Sequence, residues 1–217
     1  MSSFNELVDA ILIINLKHRQ DRLEESLNIL KESNIEMSKV RIIDATYIPS
    51  NGAKGCSHSH YNAIKHAKEH DYKNVLILED DFKWNLPFEK IEKRLCLTVE
   101  KNPDWKVLQL SWGLNNYKKR ASLVPGNKFI RRLCHPLRGS WLTTAYFVNA
   151  CMYDMLIQNF FESYEKQNIE REKSFYRWVL DRYWWKVQRQ VDWDIFIPKL
   201  VVPRDPNDTD IVKTEKK

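Results

Sequence analysis

Four unbroken apolar residues, Val75-Leu76-Ile77-Leu78, run straight into three acids, Glu79-Asp80-Asp81. A short apolar run rich in branched residues, with no polar alternation, predicts a strand buried on both faces. Ala10-Ile11-Leu12-Ile13-Ile14-Asn15-Leu16 has the same pattern. Runs at Val40–Ala45, Val107–Trp112, Thr143–Val148 and Asp194–Val202 predict further strands. Between them the period changes. Leu23, Leu27 and Leu30 recur at helical spacing and predict a helix over 20–33. Ala63, Ile64 and Ala67 form the apolar face of a second, from Ser57 as N-cap to Glu69. Asn85 and Pro87 open a third, to residue 101. Met152, Met155, Leu156 and Phe160 mark a fourth, and residues 171–189 read as an aromatic helix.

Strand, helix, strand opens the chain, as in a crossover unit with parallel strands. The alternation continues throughout, so the fold class is α/β. Residues 113–140, with Pro125-Gly126 inside, predict a loop carrying a β-hairpin. A polar loop is expected over 46–55. No repeat or linker divides the sequence, so residues 1–217 read as a single domain whose polar tail begins near residue 203.

Composition narrows the chemistry only a little. The chain has 217 residues, a formal net charge of +6, and eight Trp among many aromatics. A basic surface favours anionic partners, and aromatic rings line sites for sugars and bases. No motif of a nucleic-acid binder is present. Cys56, Cys96, Cys134 and Cys151 are scattered with no CxxC pair, which argues against a zinc site and a dense disulfide scaffold and for free thiols in a reducing compartment. No signal peptide is visible and no apolar run could span a bilayer. The expectation is a cytoplasmic protein, unless this is a fragment of a larger targeted chain.

The candidate chemistry begins with the acids. They stand at a strand's C-terminal end, where open α/β sheets bind ligands. Adjacent carboxylates repel unless a cation answers them, and a hard divalent ion takes oxygen ligands and bridges to phosphates. The alternative is a strand ending in a solvated acidic turn. The second group is Asn15 with Arg19 and Arg22, at a strand end and helix start. Backbone N–H groups there favour anions, and arginines pair bidentately with phosphate. Alternatively both arginines are solvated and pair with Glu24, Glu25 or Asp44. The third is Gly55-Cys56-Ser57-His58-Ser59-His60, where His60 reads as a structural histidine and His58 as exposed. His66 and His70, four apart, suit a metal or the helix dipole. The fourth is Asp181, with Trp184 and Trp185 at helical spacing. A carboxylate among rings suits a general base for a sugar hydroxyl, with a surface pair to Arg177 as the alternative.

Together these pieces resemble glycosyltransferase family 25, which includes bacterial lipooligosaccharide and collagen galactosyltransferases. The resemblance runs from Ile11 to about Ile211. Its motifs are Ile13-Ile14-Asn15-Leu16 with Arg19-Gln20-Asp21-Arg22, Gly55-Cys56-x-x-Ser59-His60, Leu78-Glu79-Asp80-Asp81, Thr144-Ala145-Tyr146-Phe147-Val148, Asp181, Ile197-Pro198, and Asp208-Thr209-Asp210-Ile211. It implies a GT-A-like fold, a mixed and mainly parallel sheet between helices. It also implies Mn²⁺ (or Mg²⁺), a UDP-sugar donor, and inverting transfer of galactose to a glycan or glycoprotein acceptor.

On that reading Asp81, with Asp80, binds the metal. Glu79 and Asp80 hold the ribose or a second metal position, and Asn15, Arg19 and Arg22 contact the nucleotide. Asp181 is the base, with Trp184 and Trp185 near the acceptor. The last His in the sequence is His135, so a late Asp, Asp208 or Asp210, or water would complete the metal shell. The rival is an inactive GT-A-like domain that serves as a binding or assembly module.

Overall fold

The computed structural model describes residues 3–134, 139–167, 175–205 and 208. A mixed sheet of eight strands runs through it in the order β2-β1-β3-β8-β5-β9-β7-β6. β1 (Ala10–Asn15), β2 (Val40–Asp44) and β3 (Asn74–Glu79) are parallel, with Ile13 paired to both Ile42 and Leu78. β8 (Ala145–Asn149) runs antiparallel between β3 and β5 (Val107–Gln109). β9 (Trp193–Phe196) is parallel to β5. The hairpin of β6 (Ala121–Val124) and β7 (Asn127–Leu133) closes the far edge. Its turn is Pro125-Gly126, where Gly126 has φ 73°. Proline presets the first central position of such a turn, and glycine accepts positive φ at the second.

β1 is buried at all six positions, as its unbroken apolar run dictates. The two faces of the sheet carry separate cores. One side packs Ile64, Tyr146, Phe160 and Trp184 under α3 (Gly52–Glu69) and α6 (Tyr153–Lys166). The other packs Ile13, Leu78, Phe82 and Leu95 against α2 (Gln20–Glu32) and α4 (Phe88–Lys101). A mixed, mainly parallel sheet between helices is the fold expected from the sequence.

Several boundaries differ from expectation. α3 starts five residues before Ser57, at Gly52, and Asn51 caps it by accepting from Lys54 N–H at 3.0 Å. Ser57 is buried inside the helix and donates to the Ala53 carbonyl. The aromatic helix is broken into Phe175–Trp178, Leu180–Tyr183 and Trp185–Gln188, because Val179 turns extended at ψ 143°. The closing strand splits into β9 and β10 (Val201–Pro203), which pairs instead with β4 (Phe82–Trp84) after the acids. Residues 171–174 of the expected helix, His135, Thr209, Asp210, Ile211 and most of the tail lie outside the described residues.

Candidate active site

The ends of β1, β2 and β3 open into a cleft of about 720 Å³, its open mouth included. Arg22, Thr46, Tyr47, Cys56, His60, Glu79, Asp80, Asp81 and Asp208 all line it. Parallel strands bring their C-terminal ends to one edge, so segments far apart in sequence converge there.

The GCxxSH motif has a local reason at nearly every position. A Cβ on Gly55 would sit 2.4 Å from the Thr46 carbonyl oxygen, so only glycine lets α3 lie against that loop. Ser59 Oγ accepts from Thr46 N–H at 2.8 Å and donates to the Gly55 carbonyl at 2.7 Å. His60 is buried, with Nδ1 2.9 Å from Tyr146 Oη and Nε2 3.1 Å from Glu79 Oε1. The structural histidine expected here therefore also touches the first acid of the cleft. His58 is half-buried rather than exposed, 2.7 Å from Thr46 Oγ1 and packed on Tyr61 and Tyr164.

The three acids have different surroundings. Glu79 accepts from Thr143 Oγ1 at 2.6 Å. Although burial opposes its ionisation, His60 and the Thr143 and Thr144 hydroxyls hold its carboxyl below the usual range. Asp80 is buried and its Oδ1 is taken by Arg22 Nη1 at 3.1 Å. Burial raises its pKa, against the pull of Arg22. Asp81 has Oδ1 buried with no hydrogen-bond partner among the described residues. Burial first, then the charges of Glu79 and Asp80, push its carboxyl up to about 7.

An orphaned carboxylate oxygen beside two other acids suits a hard divalent cation, which would supply the missing partner and cancel the repulsion. Asp81 fits that role directly. Asp80 Oδ1 is held by Arg22, which leaves its Oδ2 as the oxygen that could join.

The arginines are neither solvated nor paired with Glu24 or Asp44. Arg19 bonds Asp21 and Asp208, and Arg22 bonds Asp80 and Asp208. Glu25 pairs with Arg204, and Asp44 with Lys17. The late Asp208 therefore does reach the cleft, but there its carboxylate sits on the two arginines expected to meet phosphate. Asn15 is buried, donates to the Leu16 carbonyl at 2.9 Å, and leaves Oδ1 without a partner among the described residues.

Asp181 lies within electrostatic reach of Glu79 and Cys56. Burial raises its pKa, while Arg182 and a bond from the Leu142 backbone pull it down. Leu142 has φ 75°, a strained value for a branched side chain, and its carbonyl is held by Gln109 Nε2 at 2.7 Å. Trp184, expected near the acceptor, is instead fully buried in the core, where it donates to the Ser140 carbonyl at 2.8 Å and packs edge-on against Tyr146 and Trp193. Trp185 is half-buried and donates to the same carbonyl at 3.1 Å.

Sequence reasoning missed Thr143, Thr144 and Tyr146 as the hydrogen-bonding shell of Glu79 and His60. Their signal is the Thr143-Thr144-Ala145-Tyr146 stretch, which the sequence marks as a strand and a family motif without showing which side chains meet its hydroxyls.

The fold and the cleft define an α/β protein with a mixed, mainly parallel sheet between helices and a candidate site at the strand ends. The chain belongs to glycosyltransferase family 25: the model described as "Glycosyltransferase family 25 (LPS biosynthesis protein)" matches residues 38–162. Procollagen galactosyltransferase 2 of Homo sapiens is 25% identical over 142 residues, covering 54% of this chain and 23% of that protein. Procollagen galactosyltransferase 1-B of Xenopus laevis is 27% identical over 146 residues, with the same coverage. The match thus spans about a quarter of these relatives' length. Among solved structures, a glycosyltransferase involved in glycosylation of the major capsid of PBCV-1 aligns with TM-score 0.45 and 11% identity, over 74% of this chain and 66% of that one. No helix among the described residues is long and apolar enough to cross a membrane.

Proposed function

We propose that this chain is a metal-dependent, inverting glycosyltransferase. It moves a hexose, galactose by analogy with the relatives' names, from a UDP-sugar to a hydroxyl of a glycan or protein acceptor. The activity resides in a single GT-A-like domain. The observation that carries the reading is Asp81, whose buried Oδ1 lacks a partner at the strand end where a donor diphosphate would lie.

Asp81 would hold Mn²⁺ or Mg²⁺. The bound ion would neutralise charge growing on the departing diphosphate. Glu79, fixed by His60 and Thr143, presents a rigid carboxylate to the donor's hydroxyls. Arg19 and Arg22 would meet the phosphates after releasing Asp208. Asp181, made more basic by burial, would take the proton of the acceptor hydroxyl as that oxygen attacks the anomeric carbon. The bond from that carbon to the diphosphate breaks, and UDP leaves.

The test is UDP release from UDP-galactose with Mn²⁺ present. Asp81→Ala should abolish it while the fold persists, and full activity in that variant would refute the metal assignment. A binding or assembly module is the second reading. Its support is Asp208, already seated on both arginines. It predicts no turnover by the wild-type chain.

A further inference from the structure

Cys56 and His60 lie one turn apart on α3, and both face Glu79 at the end of β3. One donor atom from each, the Cys56 sulfur, a His60 ring nitrogen and a Glu79 carboxylate oxygen, lies within 4.8 Å of the other two. His60 Nε2 and Glu79 Oε1 are already 3.1 Å apart. All three side chains line the cleft, so an ion has a path to them. Neither the Asp81 position nor Asp181 accounts for the thiol.

We propose that Cys56, His60 and Glu79 form a site for a thiophilic divalent ion, zinc(II) in particular, separate from the hard-cation position at Asp81.

The donor set argues for this class of ion. Sulfur, imidazole nitrogen and one carboxylate oxygen suit zinc, whereas magnesium and manganese favour oxygen alone. Zinc bonds of roughly 2.0–2.3 Å place tetrahedral ligand atoms about 3.3–3.8 Å apart. The present spacing therefore closes by small side-chain rotations.

The outer shell is also in place. Tyr146 Oη stands 2.9 Å from His60 Nδ1 and can accept its proton, which aims Nε2 at the ion. Thr143 Oγ1 holds Glu79 at 2.6 Å. Such partners orient metal ligands and raise their basicity. Burial first, then the charges of Glu79, Asp181 and Asp81, push the Cys56 thiol up, against a hydrogen bond with Thr143, and so oppose a bare thiolate; those charges set a negative field at the sulfur. The same negative field favours a cation there.

On binding, the Cys56 thiol gives its proton to solvent and sulfur bonds the metal. The His60 ring proton moves from Nε2 to Nδ1. No group is oxidised or reduced. Three protein ligands leave a fourth position open to the cleft, where water or a substrate oxygen fits. Zinc held here would engage Glu79 and so inhibit transfer. That consequence rests on the proposed function, whereas the metal site does not.

Cobalt(II) titration of the full chain, first stripped with a chelator, tests the site without any donor sugar. The expected result is a sulfur-to-cobalt charge-transfer band, with the visible bands of tetrahedral cobalt, that saturates at one equivalent whatever further cobalt the Asp81 position takes. Cys56→Ser and Cys56→Ala should both lose the sulfur band, while Asp81→Asn keeps it. Tyr146→Phe should weaken zinc binding by about tenfold or more. Melting curves confirm that each variant is folded, and two variants at position 56 guard against one failing. A spectrum with no sulfur band overturns the proposal. So does a band that survives in both Cys56 variants, because it would belong to another thiol. A chain that binds cobalt as described yet, stripped of it and given Mn²⁺ and UDP-galactose alone, releases no UDP would refute the transferase reading and leave the metal site standing.

Discussion

Arg22 Nη1 stands 3.1 Å from Asp80 Oδ1, linking the start of α2 to the acids that end β3. Both side chains are nearly out of water, at 10% and 9% exposure. Removing one partner of a buried pair strands the other charge, at a cost of about 3–5 kcal/mol. Arg22→Ala should therefore unfold at markedly lower urea concentration. The double variant Arg22→Met, Asp80→Asn should recover most of the loss, since no charge is left unanswered. A loss below about 1 kcal/mol in Arg22→Ala would place the pair among ordinary surface bridges.

The carboxyl of Asp81 makes stability depend on pH in an unusual direction. Its folded value of about 7 lies above the ordinary 3.8. The folded state therefore holds the proton more tightly, and the resulting stability is present below 3.8 and lost as pH rises through 7. Without divalent metal, melting temperature should fall across that window. Asp81→Asn should flatten this part of the profile, and Mn²⁺ should restore stability on the alkaline side. A metal-free profile identical in wild type and Asp81→Asn would contradict the raised value.

The reach of the sequence follows from these contacts. β1 and β3 were legible because strands buried on both faces must be apolar throughout. The β6–β7 turn was legible because Pro125-Gly126 dictates its own geometry. The fate of Arg22 was not legible, since Asp80 and Asp208 lie 58 and 186 residues away. The break at Val179 was hidden for a similar reason. The Trp178 carbonyl is taken by Ser163 Oγ at 2.7 Å, a tertiary contact that helical periodicity does not encode. The burial of Trp184 was not legible either, because period alone does not tell a core face from a binding face.

Trp184 should therefore behave as a core residue. Trp184→Ala should lower stability by about 3–5 kcal/mol. Trp184→Phe should leave the KM for acceptor unchanged, since the ring lies between Tyr146 and Trp193. A raised acceptor KM in a fully folded Trp184→Phe protein would return this ring to the acceptor site.

Gly55→Ala tests the close approach of α3 to the cleft wall. The added methyl meets a backbone oxygen at 2.4 Å, so the Thr46-Tyr47-Ile48 segment must move. A stability loss of about 1–3 kcal/mol is expected. Weaker UDP binding should accompany it, read by calorimetry. Unchanged affinity would show that this segment does not touch the nucleotide.

If donor and metal meet at Asp81, their binding must be coupled through that carboxylate. The melting temperature with UDP-galactose, with Mn²⁺, with both, and in Asp81→Ala measures this coupling. Binding to the native state alone raises the melting temperature in proportion to affinity. UDP-galactose should stabilise the wild-type chain strongly only when Mn²⁺ is present, and Asp81→Ala should lose this coupling. Donor stabilisation that is equal with and without Mn²⁺, or that survives in Asp81→Ala, would contradict it.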